Sequence, residues 1–82
     1  MNMRICDSGW NIKFRVEGDG IYTPGWSLVY RIERDTICDP GWNVVYRIEG
    51  NKIYTPGWNL VYIIEGDTVY NSGWSTVYHI ER

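Results

Sequence analysis

Few residues in this 82-residue chain can do chemistry: two cysteines, one histidine and a row of carboxylates, set among five tryptophans and seven tyrosines. Cys6 and Cys38 hold the same phase of a 16-residue period and stand two periods apart. Laid out as consecutive antiparallel strands, that separation spans four strands, about 19 Å at roughly 4.8 Å per strand. Stacked as coils it is about 10 Å. A disulfide needs Cα atoms within about 7 Å, so free thiols in place of tyrosine are expected, in keeping with a reducing compartment. No CxxC pair and no neighbouring histidine supports a metal site, so neither metal nor cofactor is expected. His79 stands where Arg15, Arg31 and Arg47 stand in other repeats, with no recurring nucleophile or orienting acid beside it. This argues against a catalytic residue and against an enzyme. Glu17, Glu33, Glu49, Glu65 and Glu81, flanked by Asp19, Asp35 and Asp67, lack the dense oxygen spacing of a calcium loop. With an arginine two positions before three of these glutamates, they read as a solvated, charge-compensated ladder.

The remaining candidates are aromatic, and their chemistry is recognition. Trp10, Trp26, Trp42, Trp58 and Trp74 each follow a glycine and recur every 16 residues. Tyr22, Tyr54 and Tyr70 share a second phase. An indole or phenol can stack on a sugar ring, a peptide or another subunit, and the same side chains can instead cover a core corner or stiffen a sheet. These eight are the candidate ligand-binding residues.

The elements that must position them follow from the repeat, for which the consensus is D-x-I-Y-x-P-G-W-N-x-V-Y-R-I-E-G. Units 3–18, 19–34, 35–50, 51–66 and 67–82 account for nearly the whole chain, a single domain over 1–82 with no linker. Each unit has a short extended segment ending at Pro-Gly, which suits a type II turn. A longer segment follows and ends at Gly-Asp or Gly-Asn, pairs that favour two-residue hairpin turns. Five units predict about ten strands in an all-β antiparallel meander. Alternation places Trp42, Val44, Tyr46 and Ile48 on one face and Asn43, Val45, Arg47 and Glu49 on the other. A turn at Gly50-Asn51 sets Ile48 opposite Ile53 and Glu49 opposite Lys52. The Trp face is then apolar throughout, and Tyr22, Tyr54 and Tyr70 fall on the opposite face. Covering it stabilises by roughly 1.5–3 kcal/mol per large side chain, so the sheet should curl or coil. A β-solenoid with one repeat per coil is an alternative, and a closed ring is another. Polar drift in the end units, at Ser8, Lys13, Ser72, Thr76 and His79, favours an open array with capped ends.

Eight basic and ten acidic residues are interspersed along the chain, for a formal charge of -2, which argues against nucleic acid or an anionic membrane as partner. No apolar run suits a secretory signal or a membrane span, and a cytoplasmic location is expected.

The Gly-Trp turn followed by a Tyr-bearing strand, repeated in tandem, resembles the choline-binding and glucan-binding repeats of bacterial surface proteins across all five units. That resemblance implies hairpins presenting aromatic cages. The repeat here is shorter and carries fewer aromatic positions, so no ligand residue is carried over. The pattern is also similar to short bacterial tandem repeats of the form I-Y-x-x-x-W-x-x-V-x-R-I-x-G. Two functions are expected on these grounds. The leading one is a non-catalytic protein-interaction scaffold that forms a homo-oligomer through an apolar face or edge strand. The other is an aromatic-rich module binding a glycan or choline-like small molecule.

Overall fold

Each unit places two strands, rich in Val, Ile and Tyr, around a common axis, the first shorter than the second except in the first unit, where both span six residues. In the computed structural model, which describes residues 2–82, these are β1 (Asn2–Asp7), β2 (Ile12–Glu17), β3 (Gly20–Tyr22), β4 (Leu28–Glu33) and β5 (Thr36–Cys38). The second half comprises β6 (Val44–Glu49), β7 (Lys52–Tyr54), β8 (Leu60–Glu65), β9 (Thr68–Asn71) and β10 (Thr76–Glu81). Every strand pairs antiparallel with its sequence neighbours, as a meander requires. The ten strands do not stop as an open array or wind into a solenoid. β10 returns to β1 and closes a barrel, 30 × 30 × 17 Å in extent.

Closure repeats the internal register. Ile5 pairs with Ile80 and Cys6 with His79 across the seam, just as Val16 pairs with Ile21 and Arg15 with Tyr22 inside the chain. The cause lies in five register shifts, one per unit, at Ile5/Cys6, Ile21/Tyr22, Ile37/Cys38, Ile53/Tyr54 and Thr76/Tyr78. Each bulge bends its strand and increases the twist, and regular bending is what brings a sheet round on itself. The deviating end units are therefore not caps. Ser8, Lys13, Ser72, Thr76 and His79 belong to units joined to each other like any other pair.

The two-residue hairpins are as the sequence implies: Ile48 pairs with Ile53 and Glu49 with Lys52 around Gly50-Asn51. Positive φ falls only on the first turn residue, at Gly18, Gly50 and Gly66 (58–63°) and at Arg34 (52°), the φ pattern of a type II′ turn.

The core fills the barrel in apolar rows. Val16, Ile21 and Ile37 are buried, with Met3, Ile5, Phe14, Tyr30, Ile32, Tyr46 and Ile48 packed on them. Phe14, Tyr30, Tyr46, Tyr62 and Tyr78 form a collar in which each ring meets the next edge-on or tilted. Centroid separations are 6.1–6.3 Å all the way round, Tyr78 returning to Phe14. These separations lie within the favourable range for aromatic pairs.

Candidate functional site

The Pro-Gly-Trp segments are not type II turns. The carbonyl of Asp39 accepts from the Trp42 N–H (2.9 Å) and the Asp39 N–H donates to the carbonyl of Asn43 (2.9 Å), a pattern repeated at the other four turns. Gly41 and its equivalents keep negative φ, and the tryptophans take the left-handed conformation, at φ 66–71°. This is a three-residue hairpin loop whose left-handed position normally falls to glycine. A bulky residue there is an outlier.

The loop is held from within. Asp39 Oδ1 accepts from the N–H groups of Gly41 and Asn43, each at 2.9 Å, and Asp7 does the same for Gly9 and Asn11. Those hydrogen bonds, the one from the Asn residue first, hold both carboxyls below their ordinary value. In other units a threonine hydroxyl accepts at that place, from Ser27 to Thr23 and from Asn59 to Thr55 (both 3.1 Å), or the Asn71 side-chain oxygen from Gly73 and Ser75.

The left-handed tryptophan and the following bulge together break the strand parity on which the face assignment rested. The indoles do not join the core. Trp10, Trp26, Trp42, Trp58 and Trp74 are 52–57% exposed, and Val44 is exposed too. Each tryptophan shares the outer surface with the Tyr phase, not the opposite face: Trp26 lies 5.6 Å from Tyr22, Trp58 5.5 Å from Tyr54 and Trp74 5.3 Å from Tyr70, with tilted rings. The structure thus brings six of the eight candidate residues together as three Tyr–Trp pairs. Trp10 and Trp42 have Cys6 and Cys38 in the tyrosine phase, both free and buried.

A third participant is absent from the sequence-level candidates. Arg15, Arg31 and Arg47 do not neutralise the glutamates on their own strands; among the described residues the ion pairs are Arg4–Glu81, Lys13–Asp7 and Arg82–Asp67. Their guanidinium groups lie over the indoles of Trp26, Trp42 and Trp58, at 5.2, 4.9 and 5.2 Å from the ring centroid, a cation–π geometry. Each arginine precedes its tryptophan by the same spacing in sequence, a signal that was available. His79 meets Trp10 in the same way across the seam, and Ile63, buried, fills the phase before Trp74. Arg15 and Arg47 also donate Nε–H to the carbonyls of Pro24 and Pro56 (both 3.0 Å). The buried Nε of Arg31 has no partner, alone among the buried side-chain polar atoms of the described residues.

Between neighbouring units the outer surface opens into grooves. One of about 700 Å³ crosses β4, with Tyr22 from β3 on one side and Trp42 from beyond β5 on the other. An equivalent groove runs beside Trp26, where Arg4, Arg15 and Arg82 meet Glu17 and Glu81. Among the described residues no group of His, Cys, Asp or Glu is placed to hold a metal ion, and no helix is long and apolar enough to cross a membrane. Comparison with protein families, curated proteins and solved structures yields no match.

Proposed function

We propose that this chain is a non-catalytic, multivalent carbohydrate-binding module, with its sites in the aromatic grooves between repeats. One observation carries the reading: five indoles stand more than half exposed at a backbone conformation that disfavours them. A left-handed non-glycine residue costs about 1–2 kcal/mol, and strain held in the same place five times points to a role for the side chain beyond folding. An exposed indole beside a phenol offers an apolar face to the C–H surface of a pyranose, and the arginines and glutamates around it offer hydrogen bonds to hydroxyls. A quaternary amine suits these grooves less well, because the guanidinium beside each indole of Trp26, Trp42 and Trp58 places a positive charge there that repels a second cation and not a neutral sugar. The self-associating scaffold loses one of its motives, the free edge strands, in a barrel whose strands pair all the way round.

Titration of tryptophan fluorescence with neutral methyl glycosides, acidic sugars and quaternary amines tests the proposal. A saturable change with sugars is expected; flat titrations across the panel overturn it.

A further inference from the structure

The two grooves share a plan but not a lining, and the one at Trp42 differs from the one at Trp26 on three counts. Five charged side chains reach it, from Glu17, Asp19, Glu33, Arg31 and Arg34, and among the described residues none of the five makes an ion pair or a side-chain hydrogen bond. In the groove at Trp26, by contrast, Arg4 is held by Glu81 at 2.9 Å, Arg82 by Asp67 at 3.2 Å and Arg15 by the Pro24 carbonyl at 3.0 Å.

The second count is Gly20. The same phase carries Arg4, Thr36, Lys52 and Thr68 in the other units. A Cβ added at Gly20 would stand 2.7 Å from the Tyr22 hydroxyl, so the absent side chain is what lets the Tyr22 ring lie over the backbone and line this groove. The third count is Cys38, which takes the place of the tyrosine that would otherwise pack beside Trp42. The groove therefore has an aromatic ring on either side of β4 and unpaired donors and acceptors between them.

We infer that the Trp42 groove is the principal binding site and that its ligand is a neutral, hydroxyl-rich pyranoside of one or two rings. The inference rests on the carbohydrate-binding reading and adds a site and a ligand class to it. Charge selects the class. Two guanidinium groups against three carboxylates leave the groove at 2 − 3 = −1, which disfavours an anionic sugar. Carboxylates accept from sugar hydroxyls and guanidinium N–H groups donate to them, so a neutral polyol satisfies both kinds of group. A volume of about 700 Å³ lies within the range of small-molecule sites, roughly 300–1,000 Å³.

The test uses the full chain labelled with 5-fluorotryptophan, giving one fluorine signal per indole, with the Trp42 signal assigned through Trp42→Phe. Methyl glucopyranoside, methyl galactopyranoside and methyl glucuronopyranoside are titrated separately. The Trp42 signal is expected to saturate with a neutral glycoside at about tenfold lower concentration than the other four, a difference of about 1.4 kcal/mol. Gly20→Thr, which introduces a residue already accommodated beside Tyr70 as Thr68, should displace Tyr22 and erase that lead. Tyr22→Phe, which removes only the hydroxyl, provides a second reading should Gly20→Thr fail to fold, and should weaken binding at Trp42 alone. Five signals moving together with a sugar, or a lead unaffected by both variants, overturn the inference and leave the carbohydrate reading standing. A preference for the glucuronide overturns the ligand class. No movement with any sugar overturns both readings.

Discussion

The imidazole of His79 stacks on the indole of Trp10, centroids 4.2 Å apart and planes 5° from parallel, although the two residues come from opposite ends of the chain. It repeats, across the seam, the contact of Arg15 with Trp26. The first and last units are thus related as any two consecutive units are, and the break in the chain has no special place in the barrel.

A circular permutant should therefore fold. Arg82 holds the phase of Arg34, and Met3 that of Asp35, so deleting Met1 and Asn2 and joining Arg82 directly to Met3 creates a two-residue turn like that at Arg34-Asp35. With new termini between Gly50 and Asn51, the melting temperature measured by circular dichroism should change by less than about 8 °C, which corresponds to roughly 1 kcal/mol in a domain this small. Loss of the folded spectrum would show that the seam between β1 and β10 does not form.

Replacing an indole should leave the barrel standing. Trp58→Gly relieves about 1–2 kcal/mol of left-handed strain and forfeits an exposed stacking contact with Arg47 of about 0.5–1 kcal/mol. The expected net change in urea denaturation is within about 1 kcal/mol. Tyr46→Ala, which breaks the inner collar, should destabilise by about 3 kcal/mol or more. A large loss from Trp58→Gly would make the indole structural and count against its exposure serving a ligand.

Acid stability should depend on two turns. Hydrogen bonds from the Asn43 and Gly41 amides to Asp39, and the equivalent bonds to Asp7, lower both carboxyls from the usual 3.8. A depressed folded value means stability that is present above pH 3.8 and lost as pH falls through the folded value. Asp7→Asn with Asp39→Asn installs the residue already found at Asn71, where its oxygen makes the same two bonds. The double variant should lose less stability than the parent between pH 4 and pH 2 in thermal melts.

Alkaline stability should depend on the collar. Burial, the neighbouring Tyr78 and Tyr46 phenols and hydrogen bonding to them push Tyr62 from 10.0 up to about 12, and burial raises Tyr30 as well. A raised folded value means stability that is intact below pH 10 and lost as pH rises toward 12. Absorbance titration at the phenolate band should show late-titrating tyrosines, with one fewer in Tyr62→Phe. That variant should also retain more of its stability through this alkaline window.

The repeat, the ten strands and the hairpin register could be read from residues, because two-residue turns tie pairing to patterning: Ile48 and Ile53 face each other as alternation requires. The outward turn of the tryptophans could not. It depends on whether Gly41 or Trp42 takes the left-handed conformation, and residue preference points to the glycine. The acceptor at Asp39, Thr55 or Asn71 that braces the loop instead was visible in every unit and is the cue that reading overlooked. Closure escaped for a different reason: a bulge such as that between Ile37 and Cys38 adds curvature that no single unit displays, and only the sum over the units decides between open and closed. The arginines were visible too, at a constant spacing before the next unit's indole, but the contact follows only once the tryptophans turn outward.

The collar of Phe14 and the four tyrosines has one more consequence. Its rings touch in sequence around the axis at nearly constant separation, so their number is set by how many aromatic side chains fit edge to edge without leaving a hole. Tandem duplication can add or remove a unit in one event. A sixth unit would open an axial void and a fourth-only chain would crowd the centre, both destabilising in a packed interior. The interior thus fixes the copy number of the repeat, while the outer grooves already carry different side chains at equivalent phases.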